Sequence, residues 1–112
     1  MVGDKSVVGG YSEVTRSYLA ENVWLHRNYA GDSIIGNNVL IGAGAVTANM
    51  RLDKKNVKSM VSGKLLDTNL AKFGCVIGDN CVVGVNCSIM PGVKIASGSK
   101  VMPGQVVRRD IR

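Results

Sequence analysis

Aliphatic side chains recur at every sixth position along most of this chain. From Ile77 the beat runs through Val83, Ile89, Ile95, Val101 and Val107. Earlier it passes through Ile35 and Ile41, and near the start through Val2, Val8 and Val14. A small residue often follows the aliphatic one, as in Ile35-Gly36, Ile41-Gly42, Ile77-Gly78 and Val83-Gly84. Four places after it comes another small or aliphatic residue: Val39, Ala45, Cys81, Cys87, Val93, Ser99. A helix returns to its buried face every ~3.6 residues and a strand every ~2, so a period of six belongs to neither alone. It fits a coiling chain in which each flat side is one short strand and a turn, with three sides and about 18 residues to a coil. The pattern predicts an all-β, single-domain left-handed parallel β-helix of hexapeptide repeats over residues 1–112. Residues 18 apart are expected to stack as parallel neighbours.

Two regions break the beat. Val14 to Leu19 is five residues, Leu19 to Leu25 six, and Leu25 to Ile35 ten. Between Ala48 and Phe73 the repeat disappears, and a long excursion is expected around residues 50–73. Within it Val57-Lys58-Ser59-Met60-Val61, Ser62-Gly63 and Lys64-Leu65-Leu66 read as a two-strand hairpin with Ser-Gly at its turn. A long loop thrown out of a regular solenoid is commonly a functional addition.

Composition narrows the chemistry. Aromatics are 4% of the residues and Gly is frequent at 14, which suits many thin layers better than one core of large rings. No apolar run approaches the ~20 residues of a membrane span and no signal peptide opens the chain, so a cytoplasmic protein without membrane contact is expected. Three cysteines, Cys75, Cys81 and Cys87, fall in the same small inward slot of successive repeats. That spacing follows from the fold, lacks the Cys-x-x-Cys pairs of zinc sites, and predicts buried free thiols with no metal. The net charge of +6 points to an anionic partner. The basic residues are not interleaved with aromatics and carry no nucleic-acid motif, so nucleic acid is not expected. The densest basic segment, Asp53 through Lys64, is short enough to serve a small phosphorylated ligand; its plainer alternative is a solvated positive loop. The single histidine, His26, follows Leu25 beside a phase slip and is expected to project outward. It is either a surface residue or a general base, since its unperturbed pKa suits proton transfer near neutrality. One histidine cannot supply the three zinc ligands of the carbonic anhydrases built on the same coil.

The stretch from His26 to Asn49 carries His-x-x-Tyr-x-Gly-Asp, then Ile-Gly, Asn-Val and Ile-Gly-Ala-Gly. It resembles the C-terminal acetyltransferase domain of the bifunctional N-acetylglucosamine-1-phosphate uridyltransferase family. The following Arg-Leu-Asp-x-Lys-x-Val-Lys and hairpin, with Ile77-Gly78-Asp79-Asn80 and Ile89-Met90-Pro91-Gly92-Val93, look more like its archaeal branch. The resemblance implies transfer of acetyl from acetyl-CoA to the amine of glucosamine-1-phosphate or galactosamine-1-phosphate. By position, His26 matches the catalytic base and Tyr29 and Asn49 match residues that hold the amino sugar. Lys55 and Lys58 match loop lysines of the archaeal branch, and Ala43, Val85 and Pro103 match the lining of the acetyl-CoA groove. A phosphate-binding lysine of the bacterial pattern falls on Thr15, where the neighbouring Arg16 is the substitute cation. Leu40 stands where bacterial members carry Asn, and their long basic tail is not matched. The family implies a homotrimer with sites shared between coils, and an N-terminal nucleotidylyltransferase domain that this sequence does not contain. The rival reading is a non-catalytic trimerisation or regulatory module.

Overall fold

The fold was analysed in a computed structural model that describes all residues, 1–112. The chain winds through three parallel sheets as a left-handed β-helix of roughly six turns. Face I stacks Tyr18–Leu19, Ile34–Ile35, Val76–Ile77 and Lys94–Ile95. Face II stacks Val7–Val8, Val23–Leu25, Val39–Ile41, Val82–Val83 and Lys100–Val101. Face III stacks Glu13–Thr15, Tyr29–Gly31, Val46–Thr47, Ser88–Ile89 and Val106–Val107. The chain runs I to II to III and back to I. In the two-residue strands the second residue is usually the inward one, and β-branched Val and Ile at that place suit an extended backbone.

Each side also contains one residue at positive φ, which turns the corner. After the excursion these are Asn80, Asn86, Gly92, Gly98 and Gly104, the residue types that enter the left-handed region at least cost. On the edge between faces I and II the corner asparagines form a ladder. Asn22 Nδ2 donates to Asn38 Oδ1 at 3.0 Å, and Asn38 Nδ2 donates to Asn80 Oδ1 at 3.1 Å.

The 18-residue stacking holds only in the second half, where Ile77 pairs with Ile95, Val83 with Val101 and Ile89 with Val107. In the first half Val8 pairs with Leu25 and Leu25 with Ile41, spacings of 17 and 16. Leu19–Ile35 and Val14–Ala30 are also 16 apart. The 18-residue stacking expected from the repeat therefore fails where the beat slips. Val14–Leu19, Leu25–Ala30 and Ala30–Ile35 are five-residue sides, with their positive-φ residues Arg16, Arg27 and Asp32 one place earlier than in a six-residue side. Ala30 is therefore the inward residue hidden in the ten-residue gap, and it is fully buried.

The core is a single stack of small and aliphatic side chains, from Leu19 and Leu25 through Ile77 and Ile89 to Val107. Val2 and Val8 keep the register but are 49% and 43% exposed, because they belong to the outermost coil. Cys75, Cys81 and Cys87 are buried free thiols, one on each corner of the same coil. Burial pushes the Cys75 thiol up to about 12. No helix is long and apolar enough to cross a membrane.

The excursion leaves face III after Thr47 and rejoins at Gly74. Its neck is closed by the Phe73 N–H donating to Asn49 O at 2.9 Å and by an antiparallel bridge between Met50 and Lys72. Inside it Lys58–Val61 and Lys64–Asp67 form the expected hairpin, with Lys64 opposite Val61. Ser62 and Gly63 both take positive φ, 50° and 79°, which is what a two-residue hairpin turn of matching twist requires. The hairpin folds back on the coil. Val57 is buried, and Ser59 Oγ donates to Gly92 O at 2.8 Å.

Candidate active site

The edge between faces II and III carries His26, one place after the inward Leu25, and Ala43, Val85 and Pro103, each two places after an inward residue of face II. The ladder along this edge is continuous. Gly44 N–H donates to Arg27 O, Asn86 N–H to Ala43 O and Gly104 N–H to Val85 O, at 3.2, 3.0 and 2.9 Å. Close stacking needs glycine here. A Cβ on Gly42 would lie 2.6 Å from Val85 N, and one on Gly84 2.6 Å from Pro103 N. The expected base and the expected donor-groove residues thus share one edge, with Ala43, Val85 and Pro103 all exposed.

His26 is exposed, and its backbone rather than its ring is tied down. Its N–H donates to the side-chain oxygen of Asn28. Asn28 is buried, a residue the sequence reading passed over, and its amide donates to Gly42 O at 2.8 Å and Ala45 O at 2.9 Å. It fills the small inward slot that Ala45 and Cys87 fill in later coils. One polar side chain therefore locks the short corner bearing His26 onto the coil that carries Ala43. Every buried side-chain polar atom in the molecule has a partner, so this placement leaves no desolvated orphan.

Around the next corner, face III presents a second group. Tyr29 projects outward, and its hydroxyl accepts from Asn49 Nδ2 at 3.0 Å. The same Nδ2 donates to Asp32 Oδ2 at 2.7 Å. Arg16 grips Asp32 with two bonds, Nε to Oδ1 at 2.6 Å and a terminal nitrogen to Oδ2 at 3.0 Å. The Arg16 guanidinium, aided by the Asn49 amide, holds the Asp32 carboxyl below the usual carboxylate range. Because both bonds from Asn49 use its nitrogen, its carbonyl oxygen is left to accept a hydrogen bond from a ligand. Tyr29, accepting from Asn49, keeps its own O–H to donate. Gly31 is the floor of this cluster: a Cβ there would lie 2.4 Å from the Tyr29 hydroxyl and 2.7 Å from Asn49 Nδ2. Beneath it Gly31 N–H donates to buried Thr47 Oγ1 at 2.9 Å, and buried Ser33 Oγ donates to Gly31 O at 2.8 Å.

The structure thus brings Tyr29, Asn49 and Arg16 together and adds Asp32, which joins them. Asp32 lies inside the sequence motif but was given no role; the available signal was an acidic residue at the corner of a five-residue side. Lys72, exposed, lines the recess beside Arg16 and Asp32. The two loop lysines are not in this cluster. Lys55 is exposed, with its backbone N–H donating to Asp53 Oδ1 at 3.0 Å, while Asp53 pairs with Arg51 at 2.6 Å. Lys58 lines a different recess, with Arg108, Arg109 and Arg112 at the far end of the coil. No group of three or more His, Cys, Asp or Glu side chains is placed to hold a metal ion.

Comparison with known proteins adds to this geometry. Residues 74–109 match the family described as bacterial transferase hexapeptide (six repeats), and residues 33–48 match the hexapeptide repeat of succinyl-transferase. The chain is 40% identical over 109 residues to a bifunctional sugar-1-phosphate nucleotidylyltransferase/acetyltransferase from Sulfurisphaera tokodaii, covering 96% of this chain and 27% of that protein. It is 40% identical over 78 residues to the bifunctional protein GlmU of Methanocaldococcus jannaschii, covering 69% of this chain and 19% of that protein. The chain therefore spans roughly a fifth to a quarter of the length of these curated relatives. Among solved structures, a mutant GDP-perosamine N-acetyl transferase from Caulobacter crescentus, in complex with CoA and GDP-perosamine, superposes with a TM-score of 0.54. The match covers 98% of this chain and 50% of that one at 17% identity, a likeness of fold.

Proposed function

This chain belongs to the hexapeptide-repeat family and matches the C-terminal part of archaeal bifunctional sugar-1-phosphate nucleotidylyltransferase/acetyltransferases; from that premise we propose that it moves an acetyl group from acetyl-CoA to the amine of an amino-sugar 1-phosphate. The observation that carries this reading is the shared edge between faces II and III that bears His26 together with Ala43, Val85 and Pro103, one corner from the Tyr29–Asn49–Asp32–Arg16 cluster. Acetyl-CoA lies along the edge, with its thioester near His26. The amino sugar is held by Tyr29 and Asn49, and the Asn49 oxygen accepts from the sugar. Arg16 meets its phosphate from the same chain.

An ammonium has no lone pair to attack with, so the amine must lose a proton, and His26 is the base that takes it. The amine nitrogen bonds to the thioester carbon, the carbon–sulfur bond breaks, and the sulfur leaves as CoA thiol once it regains a proton. Negative charge on the carbonyl oxygen is met by a backbone N–H of the Ile41-Gly42-Ala43-Gly44 turn. Transfer is direct. The three thiols are buried, and the Cys75 thiol, pushed up to about 12, is not an acyl carrier.

The working form in this reading is a homotrimer joined to a nucleotidylyltransferase domain. Support for association comes from an outward apolar row on face II, where Val7, Trp24, Leu40 and Val82 are 39–44% exposed. Lys55 and Lys58, which make no bond to the Tyr29 cluster of their own chain, serve a site across a subunit boundary.

The test is release of CoA thiol from acetyl-CoA with glucosamine-1-phosphate or galactosamine-1-phosphate. Turnover is expected to require the amino-sugar phosphate and to fall at least a hundredfold in His26→Ala at unchanged Tm. A well-folded wild-type trimer with no turnover on either acceptor would sink the acetyl-transfer reading.

A further inference from the structure

The recess holding Lys58 is built, and its charge is unbalanced. Lys58, Arg108, Arg109 and Arg112 all line it and all are exposed. The one acidic side chain there, Asp110, has its Oδ1 accepting from the Lys94 N–H at 2.9 Å. The ion pairs of the chain, Arg16–Asp32 and Arg51–Asp53, lie elsewhere, so none of these four cations is neutralised. Gathering like charges in one recess destabilises a fold through self-repulsion.

The anchors beneath the cations are rigid. The Lys58 backbone is pinned to the corner between faces III and I by the Ser59 Oγ–Gly92 O bond of 2.8 Å and by the Lys94 ammonium donating to Met60 O. Gly92, at φ 82°, is pressed so close that a Cβ would lie 2.1 Å from Lys58 O. Arg108 and Arg109 follow Val107, which is 2% exposed and stacked on Ile89. Two fixed points therefore aim free cationic heads into one concavity. Planar guanidinium forks beside a point-charge ammonium match the oxygens of a phosphate ester or diphosphate better than those of a lone carboxylate.

We infer that Lys58 acts together with Arg108 and Arg109 as a clamp for a phosphate or diphosphate group. The part of this inference that concerns the reaction rests on the acetyl-transfer reading; the clamp itself does not. The group has two possible sources, the phosphates of CoA or the phosphate of the acceptor sugar.

Calorimetric titration of the full chain with inorganic pyrophosphate is the direct test. Wild type is expected to bind, and Arg108→Ala/Arg109→Ala to bind at least tenfold more weakly at unchanged Tm, with Arg108→Lys/Arg109→Lys in between. Titration with CoA against pantetheine, and with glucosamine-1-phosphate against glucosamine, assigns the source. The double alanine variant weakens only the phosphorylated member of the relevant pair. No pyrophosphate binding at millimolar concentration, or equal binding by wild type and the double alanine variant, overturns the clamp. Tight pyrophosphate binding by a chain that transfers no acetyl group would keep the clamp and discard the acetyl-transfer reading.

Discussion

The coils before and after the excursion solve the same geometric problem with different residues. From Cys75 to Val107 every side has six residues, corners are Asn or Gly, and the buried inward slots are filled by Cys75, Cys81, Cys87 and Val93. Before it, three sides are one residue short and their corners fall on Arg16, Arg27 and Asp32. A non-Gly residue at such a corner costs roughly 1–2 kcal/mol, less for Asp or Asn. Beneath these corners the inward slots are polar, with Asn28, Ser33 and Thr47 buried and hydrogen-bonded. Two of the three short-side corner residues, Arg16 and Asp32, belong to the candidate acceptor site. In the proposed reading the regular coils supply stability, and the shortened coils give up some of it to hold the acceptor site. Backbone strain concentrated beside a polar cluster is the usual mark of such a division.

The division is most severely tested in the core. Ile77→Ala, at a site 1% exposed between Ile35 and Ile95, is expected to cost about 2–5 kcal/mol in denaturant unfolding while KM of the folded enzyme stays within about twofold. A large change in KM at small stability cost would erase the distinction between the two regions.

Gly31→Ala should do the reverse. The added methyl displaces Tyr29 and Asn49, so KM for the amino-sugar phosphate is expected to rise about tenfold, worth ~1.4 kcal/mol, with a smaller loss in stability. Steady-state kinetics beside a melting curve separates the two effects.

Asp32→Asn sharpens the comparison through pH. The folded carboxyl titrates below its unfolded value, so between those two values the unfolded chain binds more protons and stability falls as pH falls. The advantage of wild type over Asp32→Asn is expected in full above the unfolded value of about 3.9, and to be lost as pH drops through the depressed folded value. Unfolding of both proteins at pH 7 and pH 3 checks it; an undiminished gap at pH 3 counts against the Arg16–Asp32 pair as its cause.

The smallest expected effects come from corners alone. Gly98→Ala has open space around the new methyl, so only its φ of 78° resists, and a loss of about 1 kcal/mol is expected. Arg27→Gly should shift stability by less than about 1 kcal/mol, since backbone relief is offset by losing the guanidinium over the Tyr11 ring. Equal losses at both positions would mean that the corners before and after the excursion are not under different strain.

Much of this was legible in the residues. A six-residue beat leaves little choice of fold, and Ser62-Gly63 between apolar runs fixed the hairpin. The slips at Val14–Leu19 and Leu25–Ile35 were visible as numbers, but Ala30 hid among them because a methyl does not read as a core residue in an aliphatic column. Asn28 was missed for the opposite reason: an amide reads as surface until its partners are known. His26, Ala43, Val85 and Pro103 could be placed on one edge because periodicity carries position across coils. Lys58 could not, since no period governs the excursion, and its partners Arg108 and Arg109 are 50 and 51 residues away.

The neck at Asn49–Phe73 and Met50–Lys72 bears on how such a molecule can change by descent. Ile35 meets Ile77, Ile41 meets Val83 and Thr47 meets Ile89, so the strands on either side resume in step after the detour. A splice between Ala48 and Gly74 can lengthen, shorten or replace the excursion without rewriting any other coil. Asn49 sits on the seam itself. If the proposed function holds, exchange of this one cassette would retune which acceptor is welcomed, while the edge proposed for the acetyl donor is inherited intact.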